Sequence, residues 1–592
     1  MKGFDVLKVK SAVKDHSKMD LSRTHLTTMN FGEIMPLFAE ETVPGDKISV
    51  NANYFSRMAP LVAPTYGKFS FKTVAGYVPY HMVAVDAEAY IGGKTTWEGQ
   101  TPKPRYFLLS GLARFFASPQ VCTTAITIGS ATTTATSANC DYAYTEDDAT
   151  TNYVFWTNAG KYYVKILNAL GYAVPTGVDF RASSTFMTGV GNTKLSAYPL
   201  LAFMKLYNDY MSQSQRYNTS ILSDTLYKIK YNISITNLYT SSTGNLTASA
   251  ILNLLQGLYL NYENDYFTSA WQSPNAPLSG TESLISVPIP FPANGSSVVQ
   301  QNNGNTYLQT GSATALNQRA LDFLKTFDDW VRRNNYSGSR VVQQIYSRFG
   351  IKTDDYRSHY ANVITTDTMP IQVGDVTSVA STNDAVLGEY AGKGIMNGSK
   401  GFSVKADDYG MVIVLGYFTV VPMNAYGFDR KVLRSAPLDW YNPEFDGLGA
   451  DAISVGEFST NPIVLTDTVD DNAVYGYTER YNAYRYGRDQ ITGDFRNYHD
   501  VAGNMNAWHT GRLVTGIRTA GNLVAQSTSV NTLPQTDSEY NRIFSITDGR
   551  EDMFYLTCQF GVDAIRPMLS LNQVPKLGEG DTAVPRNGNV IA

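Results

Sequence analysis

The sequence predicts a mostly β protein with helical insertions, and three observations carry that prediction. Forty Tyr and 27 Phe stand against six Trp in a chain rich in Asn, Thr and Ser, which is the composition of strands and polar loops rather than of Glu/Lys/Leu-rich helical bundles. Residues 68–80 (KFSFKTVAGYVPY) alternate polar and apolar side chains with the period of a strand that has one face in a core. The longest apolar stretch, residues 409–423 (YGMVIVLGYFTVVPM), is rich in β-branched side chains and shorter than the ~20 residues a membrane-spanning helix needs. It reads as a buried strand, and no membrane insertion is expected.

At 592 residues the chain exceeds the roughly 250–300 at which single cores stop growing, so it is one very large β domain or several ordinary ones. With 43% apolar and only 17% charged residues, charge-driven disorder is excluded. A formal net charge of −5 excludes a protein coated in Lys and Arg but leaves room for a local basic patch. Cys122, Cys140 and Cys558 form no CxxC pair and are too few for a disulfide framework. The N-terminus has no uninterrupted apolar run of the signal-peptide kind.

In chain order, residues 1–30 carry Lys2, Lys8, Lys10, Lys14, Lys18 and Arg23 against three Asp and show little apolar periodicity, as expected of an extended arm. From Phe31 the pattern alternates on both sides of Pro44-Gly45-Asp46, which predicts a β-hairpin or β-corner. The strand from Lys68 follows, ended by Pro79. Residues 118–160, dominated by Thr, Ala, Ser and Asp, read as an elaborated surface loop. A helix is expected from Lys161 to Leu170, stopped by Gly171, with Val164, Ile166, Leu167 and Leu170 available for burial. A second fits Pro199 to Met211, where Leu200, Phe203, Met204 and Tyr207 recur at helical spacing.

The Gly/Pro/Ser/Asn/Gln-rich stretch 275–312 reads as an insertion of turns and exposed strands. Thr314 to Arg333 shows the most regular helical periodicity in the chain, through Leu316, Ala320, Phe323, Leu324, Phe327 and Val331. Phe402 to Val421 reads as strand again, and the last hundred residues as short strands with Tyr/Arg-rich loops. No period of 20 to 50 residues repeats, which disfavours a propeller or solenoid.

Catalytic and metal motifs are missing from the text. The six histidines, His16, His25, His81, His359, His499 and His509, include no HExxH or HxH. TGVGNTK (188–194) and GLGADA (447–452) fail the spacing or context of phosphate loops, and the pairs Asp407/Asp408 and Asp470/Asp471 lie in polar turn text. No enzyme is expected. The most distinctive chemistry lies between Tyr475 and Trp508. There Arg480, Arg485, Arg488 and Arg496 interleave with Tyr477, Tyr481, Tyr484 and Tyr486. Such a mixture stacks on bases and neutralises phosphates of a single strand, or makes a contact between subunits. The contact between subunits is the preferred of the two.

At this point whole strings become familiar. LFAEETVPGD (37–46), LGYAVPTG (170–177), SAYPLLAFMKLYNDY (196–210), DYFTSAWQSP (265–274) and SGSRVVQQIYSRFGIKTDDYR (337–357) cover the first two thirds. GYFTVVPMNAYGFDR (416–430), YGYTERYNAYRYGRDQITGDFR (475–496) with NAWH (506–509), and CQFGVDAIRPMLSLNQVP (558–575) cover the rest. As a collinear series they resemble the major capsid protein of the microviruses, small single-stranded DNA bacteriophages, in the gokushovirus-like branch.

The resemblance implies an all-β fold with helical insertions, a single eight-stranded antiparallel jelly roll with long elaborated loops. It implies pentamers, and a closed icosahedral T=1 shell of about sixty copies around circular single-stranded DNA. The further partners it implies are small internal or pilot phage proteins and a bacterial host surface receptor. The protein is then expected in the virion, after synthesis in the host cytoplasm.

Residues 1–30 would be the arm and 31–592 one capsid domain, with insertions near 118–160, 215–258 and 275–312, one of them a threefold protrusion. DNA or inter-subunit contacts are expected at Arg480, Tyr481, Tyr484, Arg485, Tyr486, Arg488, Arg496 and Trp508, and arm contacts at Lys8, Lys10, Lys14 and Lys18. No cofactor is implied; a structural divalent cation would have to use dispersed interface carboxylates, since no EF-hand-like loop is present. The alternative is a secreted or surface β-rich adhesion or carbohydrate-binding protein, for which a secretion signal or paired acids should be visible.

Overall fold

The computed structural model describes residues 16–116, 157–173, 192–211, 221–270, 360–377, 390–458, 474–496, 505–511, 540–546 and 551–568, a few single positions aside, with shorter pieces within 121–133, 286–309, 322–351 and 518–523. Its principal strands are β1 (Ser17–Asp20), β2 (Arg23–Met29), β3 (Ile34–Thr42), β4 (Lys47–Met58), β5 (Lys68–Pro79) and β6 (Asn362–Pro370). They continue with β7 (Gln372–Thr377), β8 (Tyr390–Lys405), β9 (Gly410–Val421), β10 (Ala450–Ser454), β11 (Val474–Glu479) and β12 (Phe554–Arg566). The fold is mostly β-sheet with helices added, as the composition predicts.

Two antiparallel sheets make the centre. The first runs β12–β4–β8–β7, with β1 and β2 both lying along the outer edge of β12. The second runs β6–β5–β9–β3. In β4 the alternation is complete: Ile48, Val50, Ala52, Tyr54, Ser56 and Met58 point inward and every residue between them is exposed. β12 repeats it with Phe554, Leu556, Cys558, Phe560, Val562 and Ala564 inward. The inward rows meet the second sheet through rings: Phe38 lies 5.0 Å from Phe560, Tyr54 5.6 Å from Phe71, and Phe418 stacks on Phe554 at 4.0 Å. Each such fully buried ring contributes roughly 1.5–3 kcal/mol through removal from water.

Residues 43–46 form a corner and not a hairpin, because β3 and β4 belong to different sheets. Asp46 makes the bend, its carboxylate accepting from the Val43 N–H at 2.9 Å, and Gly45 supplies a φ of +95°. The β8–β9 turn leans on this corner: Gly45 N–H donates to the Ala406 carbonyl at 2.8 Å and Ala406 N–H to the Asp46 carbonyl at 2.9 Å. The expected strand over 402–421 is therefore two, parted by the turn that carries Asp407 and Asp408. Residues 17–29 of the expected arm are strands of the first sheet, and β12 is a thirteen-residue central strand where short strands were expected.

The second sheet is buried on both faces along β9 and the second half of β5, since helices from the long 80–361 connection cover its back, while its edge strand β6 stays largely open. They are α1 (Leu109–Phe116), α2 (Asn158–Ala169), α3 (Tyr198–Tyr210), α4 (Ile221–Lys230) and α5 (Ala248–Gln256). α2 starts on Thr157, whose hydroxyl accepts from Gly160 N–H at 2.9 Å, and stops at Gly171 in the left-handed region. Its Tyr162 hydroxyl both accepts from the Ile34 N–H and donates to the Ile34 carbonyl, fastening the helix to β3. α3 is buried along Leu200, Phe203, Met204 and Tyr207, and its Leu206 lies so close to β5 that any side chain at Gly76 would meet it at 2.6 Å. This covering explains why β5 alternates only as far as Thr73 and is buried on both faces beyond it.

Within 118–160, Ile126–Ile128 and Ala131–Thr133 pair as a small hairpin. Within 275–312, Ser286–Pro288, Val298–Asn302 and Asn305–Gln309 form a three-stranded antiparallel sheet with one another. Of the helix expected over 314–333, the described positions, Phe327 and Trp330 among them, are helical; Leu316, Ala320, Phe323, Leu324 and Val331 lie outside the described residues.

Candidate functional site

The Tyr/Arg segment does come together. β11 pairs with β10, and Tyr481 follows it in the left-handed conformation (φ +61°), held by its N–H donating to the Asp451 carboxylate at 2.8 Å. The turn Asn482–Tyr484 after it meets the loop 428–446. The Tyr441 N–H donates to the Tyr484 hydroxyl at 3.1 Å, and the Arg434 guanidinium lies 4.0 Å from the Tyr484 ring centroid.

The arginines are engaged inside the chain. Arg485 pairs with Glu479 at 2.9 Å and Asp446 at 3.5 Å, Arg488 donates to the Phe428 carbonyl, and Arg480 packs over Phe445 and Tyr481. Burial draws the Arg488 pKa below the ordinary arginine value. Tyr486 stacks on Tyr266 at 4.9 Å, and burial, assisted by the Asp265 and Asp489 carboxylates, pushes its hydroxyl up to about 12. Beneath them Glu457 takes Arg430 at 2.6 Å and the Tyr266 hydroxyl at 3.2 Å. Trp508 lies 5.9 Å from Tyr66, and Arg496 closes a short turn through its N–H to the Gly493 carbonyl. The cluster is thus a cross-braced block of rings and ion pairs, and its exposed rim is aromatic: Trp440, Tyr441 and Tyr484 are each nearly half exposed.

Of the arm lysines, Lys8, Lys10 and Lys14 lie outside the described residues. Lys18 sits in β1, exposed, paired with Asp563 at 3.0 Å. Among the described residues one trio has the donor types of a cation site: His81, Glu88 and Asp408, with ligand atoms within 4.8 Å of one another. His81 Nδ1 lies 2.8 Å from Asp408, so a direct hydrogen bond accounts for their approach. His509 is structural. Its Nε2 donates to the Phe495 carbonyl at 2.8 Å, its Nδ1 accepts from Gly511 N–H at 3.0 Å, and burial holds its pKa below the ordinary value.

A surface the sequence reading passed over is the outer face of the first sheet, which among the described residues meets a helix only at the C-terminal end of α2, beside β2 and β12. β4 presents Lys47, Ser49, Asn51, Asn53, Phe55 and Arg57 there, and β8 presents Lys393, Ile395, Asn397, Ser399, Gly401, Ser403 and Lys405. Neither row contains an acid. On β12 the outward row, Tyr555, Thr557, Gln559, Gly561, Asp563 and Ile565, contains one, and that one is paired with Lys18. Lys47, Arg57 and Lys393 have no carboxylate partner among the described residues. The signal was present in the alternation of KISVNANYFSRM, but only its apolar half was used.

Among the described residues the outer face of the first sheet is polar, while helices of the 80–361 connection pack behind the second sheet. The family described as Capsid protein (F protein) matches residues 7–106 and 169–577, and the chain belongs to it. It is a microvirus major capsid protein, a structural protein of the virion and not an enzyme.

Capsid protein VP1 of Chlamydia phage 1 is 22% identical over 616 aligned positions, which cover 95% of each chain. Capsid protein VP1 of Bdellovibrio phage phiMH2K is 21% identical over 545 positions, 84% of this chain and 85% of its own. The alternative of an adhesion or carbohydrate-binding protein is set aside by this membership. The family match passes over 107–168, which contains the Thr/Ala/Ser-rich stretch 118–160, whereas 215–258 and 275–312 fall inside it.

Proposed function

We propose that this capsid protein closes into a T=1 icosahedral shell of about sixty copies, by way of pentamers, around a circular single-stranded DNA genome. The two sheets are read as one eight-stranded jelly roll with β1/β2, β3, β4, β5, β6, β8, β9 and β12 as its strands in order. Numbered so, the first sheet runs 1-8-3-6 and the second 5-4-7-2. The neighbours 1·8, 2·7, 3·6 and 4·5 are those of a single long hairpin rolled on itself. The expected capsid domain, 31–592, is then extended to take in β1 and β2 of the expected 1–30 arm. The observation that carries the orientation is the acid-poor outer face of the first sheet: in a chain of net charge −5 it is the surface suited to phosphate, so it is placed inward.

The helical layer of the 80–361 connection, from which the insertions spring, would then face out. Among them 118–160, 215–258 and 275–312 are the candidates for the protrusion that meets a host receptor. The rim of Trp440, Tyr441 and Tyr484 has the exposed aromatic character of a contact between subunits. Small internal or pilot proteins would meet the inner side, and the chain would be made in the host cytoplasm. No helix among the described residues is long and apolar enough to cross a membrane. Sedimentation and electron microscopy of the purified protein test the reading: pentamers and closed shells are expected, and a protein that stays monomeric under all packaging conditions would contradict it.

A further inference from the structure

We propose that a cleft on the outer face of the first sheet is a binding site for a nucleotide unit of single-stranded DNA. The cleft has a volume of about 790 Å³ and lies where β2, β4 and β12 meet the C-terminal end of α2. Its walls include Phe55, Arg57, Tyr555, His25, Asn168 and Thr557. This is within the range of sites that enclose small ligands, roughly 300–1,000 Å³.

The strand register explains how the groups converge. Tyr555 on β12 stands directly opposite Arg57 on β4, and Thr557 opposite Phe55. The two rings are therefore diagonal neighbours on one face, within reach of a common flat ligand. Tyr555 is 45% exposed and Phe55 38%, and each presents its surface to solvent instead of filling the core. Arg57 lies over Phe55, its Cζ 5.4 Å from the ring centroid, and has no carboxylate partner among the described residues.

The other cation of the cleft, Lys165, is held by Glu33 at 2.6 Å and Asp552 at 3.3 Å, so it braces the wall and Arg57 supplies the available charge. His25, opposite the inward-facing Cys558, turns its ring to the Leu37 carbonyl at 2.8 Å and so fastens β2 to β3 at the edge of the cleft. Asn168 and Thr557 add amide and hydroxyl groups at the wall.

Two aromatic faces, one unopposed guanidinium and neutral hydrogen-bonding groups are what a single strand requires: π surfaces for unstacked bases, a cation for phosphate, and no carboxylate to repel it. The same face continues along β4 and β8 without an acid, and Lys47 and Lys393 are also without carboxylate partners among the described residues. That continuity favours a charged polymer over a neighbouring subunit. The inference rests on the proposed inward orientation of this sheet and adds to it the place where a base is held.

The test is ultraviolet cross-linking of intact particles followed by peptide mass spectrometry, with the variants Phe55→Ala/Tyr555→Ala and Tyr555→Phe. Both positions are exposed, so the shells are expected to assemble. In unmodified particles DNA is expected on the peptides carrying Phe55 or Tyr555. The double variant loses that adduct and binds single-stranded DNA about tenfold more weakly as free subunits, while Tyr555→Phe retains both. Adducts confined to other segments, such as 475–508, overturn the site and leave the capsid reading intact. A particle structure in which a neighbouring subunit covers Tyr555 and Phe55 also overturns it. Unmodified chain that forms no DNA-containing shell overturns the capsid reading itself.

Discussion

Asp552 shows how much can hang on one side chain. It is nearly inaccessible, pairs with Lys161 at 3.1 Å and Lys165 at 3.3 Å, accepts from Asn30 at 3.0 Å and from the Thr28 hydroxyl, and so ties α2 and β2 to the start of β12. Burial alone would raise its pKa, but Lys165, Thr28 and Lys161 outweigh burial and hold it below the ordinary carboxylate value. Its contribution to stability is therefore complete above the unfolded value of about 4 and is lost as the pH falls through the lower folded value.

Glu33, raised by its own burial, has the opposite sign and gains stability on acidification, which softens the loss. Asp552→Asn is expected to cost about 1–3 kcal/mol at neutral pH, because the partly exposed Lys161 loses its carboxylate and Lys165 keeps only Glu33, and to flatten the acid side of the stability profile. Urea unfolding at pH 7 and pH 4 checks this; an unchanged midpoint at pH 7 would contradict it.

Arg105, with Asp86 at 2.8 Å and the Ile229 carbonyl at 3.0 Å, plays the same part among the insertion helices. Arg105→Met should loosen that layer before the sandwich, seen as early loss of amide protection in α4 and α5 under hydrogen exchange. Neither residue was legible in the sequence: an isolated acid gives no sign of partners 387 residues away, as Lys165 is from Asp552. His509 was legible, since a histidine outside any ligand motif is usually one satisfied by the backbone.

At the scale of elements, what could be seen beforehand is what depends on local periodicity. α2 and α3 lie within three residues of the expected bounds, because their apolar spacing and their Gly171 and Pro199 signals are local facts. The corner at Pro44-Gly45-Asp46 was legible as a bend but not as a change of sheet, since the partners of β3 and β4 come from residues 390–421 and 554–566. β1 and β2 were hidden because edge strands with Lys, Arg and Thr look like an arm until β12 supplies the missing hydrogen bonds.

The insertion 118–160 has its ends pinned together. The Thr157 N–H donates to the Val121 carbonyl at 3.0 Å, and Gly160 lies so near the same carbonyl that a side chain there would clash. Replacing residues 122–156 by a short Gly/Ser link should therefore leave the fold and shell assembly unchanged, each doubling of loop length being worth only about 0.6 kcal/mol. Thermal unfolding and particle yield measure it. A collapse in yield would show that the insertion is needed between subunits.

For the whole molecule, the two sheets differ in what covers them. One is sealed beneath α2, α3 and their neighbours, and the other leaves rows of Lys, Asn, Ser and two aromatic rings open to solvent. Family membership gives the role, and the asymmetry supports the proposed direction, with the genome on the open side and the host on the insertion side. The Tyr/Arg segment, the strongest chemical signal in the text, turns out to be braced internally by Glu479, Asp446 and Tyr266. Composition could not reveal that bracing, because the partners are supplied by the loop 428–446 and by residues near 266.

The most direct measurement is a cryo-electron microscopy reconstruction of DNA-filled particles at side-chain resolution. The account predicts ordered nucleic-acid density against the face that carries Lys47, Arg57, Lys393 and Tyr555, with residues 118–160 and 275–312 on the outside. Density lying instead against the helix α3 on the back of the second sheet, with the β4 and β8 rows facing solvent outside the shell, would contradict it.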